Sequence, residues 1–118
     1  MQPTRFAHHR LEAFHVAKRA LAAGDALVRK LPRGYGALAD QLRRALLASD
    51  LQLPEAAVRD GNDRKLRFRC ARAECHEAAA AVEPALALGL ITDAEATPVL
   101  TDLDRLAAML TKLGGFSS

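Results

Sequence analysis

The sequence predicts an all-α protein folded as an antiparallel up-down four-helix bundle, and three observations carry that prediction. Apolar residues recur at steps of three and four through most of the 118 residues, and no stretch alternates in the manner of a β-strand. Half of the residues are apolar, yet tryptophan is absent and only 4% are aromatic, which suits helices packed closely through alanine and leucine. Short turns containing proline or glycine separate the segments, so consecutive helices should run antiparallel.

Four helices are expected within one domain that spans residues 1–118. The first contains Gly24, which indicates close approach of a neighbouring helix. In the second, Pro54 removes one backbone hydrogen bond and predicts a kink or a local break. The third follows a turn in which Gly61 is free to adopt a left-handed cap, and Gly89 ends it. The expected bounds are 6–31, 37–58, 63–88 and 93–113.

Two starting points are open for the fourth helix. Thr92 and Glu95 match a capping box, in which the side chain of each residue bonds the backbone of the other. Thr97 is the alternative cap, because it would make Pro98 the first helical residue, a position that proline favours. The last five residues, GGFSS, are expected to fray into a tail.

Cysteine usage and hydropathy favour a soluble cytoplasmic protein with no membrane segment. Cys70 and Cys75 would lie on different faces of a helix, which suits reduced thiols better than a disulfide framework. The opening stretch MQPTRFAHHRLEAF lacks the apolar run of a signal peptide, and no stretch is apolar enough to span a bilayer.

Charge is distributed unevenly along the chain. Residues 1–72 carry 15 of the 17 Lys and Arg against 7 of the 14 acidic residues, a net of +8, whereas residues 73–118 carry a net of −5. Such asymmetry is typical of a nucleic-acid surface or of two faces that meet in an assembly, and both interpretations are open at this point.

The segment LPRGYGALADQLRRA resembles a family of bacterial four-helix-bundle proteins encoded within intervening sequences of 23S ribosomal RNA. The helix LEAFHVAKRA and the ending LGLITDAEATPVLTDLDRLAAMLTKL are also similar to that family, so the resemblance covers roughly residues 11–113. The matching pattern is a proline, a short turn, a leucine, a glutamine, two basic residues and an alanine, at Pro32, Gly36, Leu38, Gln41, Arg43, Arg44 and Ala45.

The resemblance implies a homo-oligomer, namely a homopentamer of four-helix bundles. A related branch of the family is the accessory variability determinant of diversity-generating retroelements, a basic pentamer that contacts a reverse transcriptase and nucleic acid. Partners of this chain are therefore expected to be other copies of itself, together with RNA, DNA or a nucleic-acid-processing protein. For most members of the family no activity is established.

This chain departs from the family in its most characteristic polar stretch. There the family has approximately serine, isoleucine, two variable positions, asparagine, isoleucine, alanine, glutamate and glycine, whereas this chain reads ASDLQLPEA at residues 48–56. Glu55 is kept and Gln52 stands in place of the asparagine. The other departures, including a glycine–serine pair of the third helix, are at Ala48, Pro54, Ala56, Ala73 and Glu74.

A polar stripe on the second helix predicts a network that fixes helix register or an interface. Its members follow one another at steps of three and four, which places them on one side of the helix. Arg44 and Glu55 would then meet across a subunit boundary, or face Glu74 and Glu77 of the third helix. The expected network comprises Gln41, Arg44, Gln52, Glu55, Glu74 and Glu77.

The run RKLRFRCAR at residues 64–72 indicates phosphate binding. Lys65, Arg69 and Arg72 recur at steps of four and three on one side of the third helix, and an assembly of copies would multiply their charge. The alternative is a solvated face, or cations paired with acidic residues. The candidate nucleic-acid contacts are Arg43, Arg59, Arg64, Lys65, Arg67, Arg69 and Arg72.

No catalytic residue, metal ligand or cofactor is expected. The carboxylates lack an accompanying nucleophile, no glycine-rich phosphate loop is present, and His8, His9, Cys70, Cys75 and His76 lack the paired spacing of a zinc site. Helix-turn-helix and RNA-recognition signatures are also absent. The predicted function is a non-enzymatic scaffold that binds nucleic acid or its processing machinery. The rival function is a protein adaptor, and the third is a small hydrolase or metal protein.

Overall fold

The structure, a computed structural model, describes residues 6–116, and their regular secondary structure is entirely helical. The four long helices are α1 (Glu12–Val28), α2 (Gly36–Ala57), α3 (Gly61–Ala87) and α4 (Asp93–Leu113), preceded by a 3₁₀ helix at Ala7–Arg10. Each long helix packs against the next in sequence, and α1 also packs against α4. The prediction of an all-α chain with four helices packed against each other is confirmed.

Consecutive helices run antiparallel around the bundle. Gln41, near the start of α2, donates from Nε2 to Glu77 Oε1 in the second half of α3, at 3.3 Å. Lys30, just beyond the end of α1, contacts Glu95 in the first turn of α4, with Nζ and Oε2 2.8 Å apart. The starts of α1 and α3 therefore lie at the same end of the bundle as the ends of α2 and α4.

Small and branched apolar residues form one core along the bundle axis. Alanines bring the helix backbones together, and each buried leucine or phenylalanine contributes roughly 2 kcal/mol from the burial of apolar surface. The largest fully buried side chains include Val16, Leu42, Leu53, Phe68, Val82, Val99, Leu103, Leu106 and Leu110.

The predicted close approach at Gly24 is confirmed. A Cβ atom added at Gly24 would overlap Cδ1 of Leu46, which projects from α2 into the space that the glycine leaves open. The contact fixes how deeply α1 and α2 interlock, because only a residue without a side chain fits there.

The first helix is shorter than the expected range of 6–31. Leu11 has an extended backbone (φ −86°, ψ 117°) and separates the short 3₁₀ helix from α1. At the other end, α1 stops at Val28 and the chain passes into a turn before Pro32, because the residue preceding a proline disfavours helical geometry.

The second and third helices also differ from expectation in their details. α2 continues without a break through Pro54 as far as Ala57, so the expected local interruption is absent. α3 begins two residues earlier than expected, at Gly61, whose φ of +56° is the left-handed conformation that its sequence context indicated. Gly89, with φ +70°, follows the end of α3 as predicted.

The fourth helix begins at Asp93, which decides between the two predicted starts. The Thr92 hydroxyl accepts from Glu95 N at 3.1 Å, and Glu95 Oε1 accepts from Thr92 N at 2.9 Å. Pro98 therefore lies inside α4, one turn beyond its start, and not at its first position. The capping box is retained because it satisfies two backbone donors that the helix itself leaves free.

None of the helices in the described part of the chain combines the length and apolar character needed to cross a bilayer. Cys70 and Cys75 are both free thiols.

Candidate nucleic-acid interface

The stripe of Lys65, Arg69 and Arg72 faces the end of α4. Arg69 Nε donates to the backbone oxygen of Gly114 at 2.7 Å, and Arg72 Nε donates to Thr111 Oγ1 at 3.0 Å. These acceptors are uncharged, so both arginines are held in place, and no carboxylate of residues 6–116 forms an ion pair with either of them. The carboxyl end of a helix also carries partial negative charge, which favours cations at this position.

The tail after α4 contributes an aromatic ring to the same place. The guanidinium carbons of Arg69 and Arg72 lie 4.6 and 4.3 Å from the centre of the Phe116 ring. Both distances are typical of cation–π contact. The expected fraying of GGFSS is therefore wrong for residues 114–116, whereas Ser117 and Ser118 lie outside the described residues.

Arg67 lies on the opposite side of α3, towards α2, and Arg59 lies in the turn that joins these two helices. Arg59 bonds Asp63 through Nη1 at 2.9 Å and Glu55 through Nη2 at 3.1 Å, and these two partners, Asp63 first, raise its pKa. Arg67 borders a groove of about 380 Å³ together with Gln52, and its buried Nε has no hydrogen-bond partner among the described residues. Arg59 is thus neutralised locally, while Arg67 forms no ion pair with any residue of the described part of the chain.

The two remaining candidate contacts lie apart from each other. Arg64, at the start of α3, places its guanidinium carbon 5.4 Å from the centre of the Phe68 ring. Arg43 forms an ion pair with Asp25 of α1, with Nε and Oδ1 3.1 Å apart. Arg43 is therefore separated from the basic run of α3, and the seven candidates do not share one surface.

The expected polar network divides into two clusters along the α2–α3 contact. In one, Glu77 Oε1 accepts from Gln41 and lies 3.7 Å from Arg44 Nη2. Desolvation, followed by the hydrogen bond and the repulsion from Glu77, raises the pKa of Glu74 in this cluster. In the other, Glu55 accepts from Arg59. Gln52 borders the same groove as both arginines, but its buried Oε1 has no hydrogen-bond partner among the described residues.

The positions at which the chain differs from the pattern quoted above range from fully buried to exposed. Ala56 is fully buried in the core, and Ala48 borders the groove beside Gln52. Ala73 is exposed, and Pro54 is half-buried.

Charge is sorted between the two ends of the bundle. We call the half containing residues 6–20, 47–73 and 103–116 the basic end, and the half containing residues 21–46 and 74–102 the acidic end. The basic end has eleven Lys and Arg against six Asp and Glu, a net of +5, and the acidic end has five against eight, a net of −3. Three of the four histidines, His8, His9 and His15, also belong to the basic end. Net charge therefore changes sign along the bundle axis. The resulting electric field attracts anions to the basic end.

Cys75 has the surroundings of a structural thiol. Its Sγ donates to Leu103 O at 3.2 Å, and burial is the main cause that raises its pKa to about 11. A thiol with that pKa is protonated at neutral pH and is a poor nucleophile. Within residues 6–116, no group of three or more His, Cys, Asp and Glu side chains is placed to hold a metal ion.

Two features of the surface escaped the sequence interpretation. The first is the folded tail with Phe116, which a lone aromatic after two glycines only weakly suggests. The second is an apolar stripe that follows the outer face of α2 and continues to the residue after it. Leu47, Leu51 and Val58 are 47%, 56% and 73% exposed there. Their spacing of four and seven residues is visible in the sequence, but it does not distinguish an exposed apolar stripe from the buried one beside it.

No family model matches this chain, and no curated protein is significantly similar to it.

Proposed function

We propose that this protein is a non-enzymatic homopentameric scaffold that binds nucleic acid through its basic end. The observation that carries the proposal is the arrangement of Lys65, Arg69 and Arg72 beside the end of α4. Neutral acceptors and a ring hold the two arginines, so their charges stay available to phosphate. Lys112 in the last turn of α4 adds a further cation to the same end of the bundle.

The chemistry of the site suits phosphates better than carboxylate-rich proteins. Each arginine has its Nε committed to the protein, which leaves the terminal nitrogens of a planar fork to donate to two oxygens of one anion. Neutralising phosphates releases condensed counterions, so binding through this stripe must weaken steeply with salt.

Assembly of the scaffold rests on the outer face of α2. Three exposed apolar side chains in line are unusual for a helix face that points away from the core. We propose that a second copy covers them, because the same apolar surface on another copy would bury these side chains. Arg44 and Glu55 beside the leucines are already paired within the chain, so this contact leaves neither charge without a partner. Five copies of the 12.7 kDa chain give about 64 kDa.

The same α2 face favours the second candidate function, a protein adaptor that does not bind nucleic acid. In that case the partner is another protein that covers Leu47, Leu51 and Val58, and the basic end is a solvated surface. Salt-dependent binding separates the two functions, because counterion release accompanies phosphate contacts.

The direct experiment is fluorescence anisotropy of labelled DNA and RNA oligonucleotides titrated with the protein at several salt concentrations. The variant Lys65→Gln/Arg69→Gln/Arg72→Gln should bind at least ten-fold more weakly, and the salt slope for a single strand should fall by roughly two. Circular dichroism must show that the variant is folded, because two of these side chains also bond the end of α4. If the wild type binds no oligonucleotide at low salt, the proposal of nucleic-acid binding is refuted, and the protein adaptor becomes the preferred function.

Assembly is tested separately by sedimentation velocity of the wild type and of Leu47→Glu/Leu51→Glu. A mass near 64 kDa that falls in the variant supports the pentamer and its contact face. A wild-type mass of one chain refutes the assembly, and a mass near 25 kDa, twice 12.7 kDa, replaces the pentamer with a dimer.

A further inference from the structure

We propose that Phe116 is a stacking platform for an unpaired base, so that the basic end takes single-stranded nucleic acid in preference to a duplex. The inference rests on the proposed function and names the substrate class of the same site. In this inference the Phe116 ring stacks on the face of a base, whereas Lys65, Arg69 and Arg72 contact only the phosphates.

The first step is the position and exposure of the ring. Of the four phenylalanines, Phe14 and Phe68 are buried in the core. Phe6 is 64% exposed, but the cations of the stripe lie against Phe116. Phe116 is 37% exposed, although burial of the whole ring would gain more hydrophobic free energy. An exposed ring within 5 Å of two guanidiniums combines the aromatic and cationic groups by which single-strand-binding proteins hold bases and phosphates.

The second step is that the ring is held in place before any ligand arrives. Gly115 has φ +74°, and Phe116 N donates to Thr111 O at 3.1 Å, so the chain turns back over the end of α4. A Cβ added at Gly114 would lie 3.0 Å from Leu110 O and 3.1 Å from Arg69 Cγ, so a bulkier residue would disturb the turn. A fixed platform loses little conformational entropy when a base stacks on it.

The third step is the geometry of the neighbouring cations. Lys65 and Arg72 are seven residues apart on α3, which corresponds to about 10 Å along the helix axis. The stripe therefore runs alongside a short stretch of a strand, and a flexible single strand can bring successive phosphates against its cations. In a duplex the faces of the bases are covered by their neighbours, and Phe116 would have nothing to stack on.

The absence of tryptophan makes a direct test available. In Phe116→Trp the only indole of the protein lies at the proposed platform. Its fluorescence should be quenched on titration with a single-stranded oligonucleotide, and much less with a duplex of the same sequence or with inorganic polyphosphate, which has charge but no bases. Leu88→Trp is the matched control, because Leu88 is 60% exposed at the acidic end and its indole should not respond.

Affinity gives the second readout. Phe116→Leu keeps an apolar side chain on the arginines but removes the aromatic face, and it should weaken single-strand binding roughly ten-fold while duplex binding changes little. Phe116→Tyr keeps the aromatic face and should bind single strands as tightly as the wild type. Thermal unfolding of Phe116→Leu serves as the check that the bundle itself is unaffected.

The possible results distinguish this inference from the proposed function. If single strands and duplexes bind equally with a steep salt dependence, and neither the indole signal nor Phe116→Leu responds, Phe116 is not a platform while the scaffold on nucleic acid stands. If no nucleic acid binds to the wild type, both proposals are refuted together. Base-dependent quenching with a single-strand preference supports both.

Discussion

The two ends of the bundle hold their cations in different ways. At the acidic end, arginine and lysine lie against carboxylates: Asp25 pairs with both Arg29 and Arg43, and Glu95 pairs with Lys30. At the basic end, Arg69 and Arg72 are held by a backbone oxygen, a hydroxyl and a ring. Arg59 and Arg105 of the basic end are paired with carboxylates as well. The contrast therefore concerns Arg69 and Arg72, which are positioned by neutral groups.

The difference separates structural from available charge. An ion pair stabilises locally and cancels its own field, whereas a neutral acceptor orients a guanidinium without weakening its attraction for an external anion. The number of basic residues in a run therefore overstates how many cations are available to a phosphate. Whether a given arginine or lysine is available depends on the group that it contacts within the protein. Arg43 and Arg59 have carboxylate partners, so they leave the candidate site.

The largest expected difference in nucleic-acid affinity is between two variants that each remove three positive charges. One is Lys65→Gln/Arg69→Gln/Arg72→Gln at the basic end, described above. Arg29→Gln/Arg43→Gln/Arg44→Gln, at the acidic end, should leave the affinity for nucleic acid within about three-fold of the wild type, because those charges are already paired. It should instead lower the free energy of unfolding by roughly 1 kcal/mol, the sum of several exposed ion pairs. Anisotropy and chemical denaturation measure the two quantities. An equal loss of affinity from both variants would show that only net charge matters.

Local features of the bundle were predictable from the sequence, and long-range partners were not. The capping box of Thr92 and Glu95 depends on residues three apart, and the conformation of Gly61 depends on its own turn, so both follow from short patterns. The acceptors of Arg69 and Arg72 lie 45 and 39 residues away in the chain. Nothing in the spacing of the basic run indicates which of its members a neighbouring helix engages.

The next contrast concerns packing between α1 and α2 at the acidic end. Gly24→Ala should destabilise the protein by roughly 1–3 kcal/mol despite the better helix propensity of alanine, because Leu46 must move from the space that the new methyl group takes. Gly36→Ala is the matched control, since a Cβ there meets nothing within 4 Å. Thermal unfolding of both variants checks this, and equal melting temperatures would mean that the bundle opens to accept the methyl group.

A buried carboxyl group at the basic end provides the third contrast. Asp50 is only 9% exposed, its Oδ1 has no hydrogen-bond partner among the described residues, and desolvation raises its pKa despite the opposing effects of Lys18 and His8. An acid with a raised pKa costs stability when it ionises in the folded protein, and the cost grows as pH rises above the ordinary value of 3.8. Asp50→Asn should therefore raise the stability at pH 7 by about 1 kcal/mol.

The gain in Asp50→Asn should shrink as the pH approaches 3, where Asp50 is protonated in both the folded and the unfolded wild type. Melting temperatures measured between pH 3 and 7 test this. A gain that is independent of pH would trace the effect to packing and not to ionisation.

The smallest expected effect is a difference between two variants, one at each end of the bundle, in how their melting temperatures change with pH. The hydrogen bond from Lys30 and the backbone N–H of Thr92 lower the pKa of Glu95 to about 2. The stabilisation is fully present above the unfolded value of 4.5 and is lost as pH falls from there towards 2. Glu95→Gln should therefore melt below the wild type at pH 6 and together with it near pH 2. Thr111→Val removes a neutral acceptor of Arg72 at the basic end, a hydrogen bond in which no carboxylate takes part. Its deficit in melting temperature should be the same between pH 2 and 6, and a deficit that disappeared in acid would show that the position of Arg72 depends on a carboxylate.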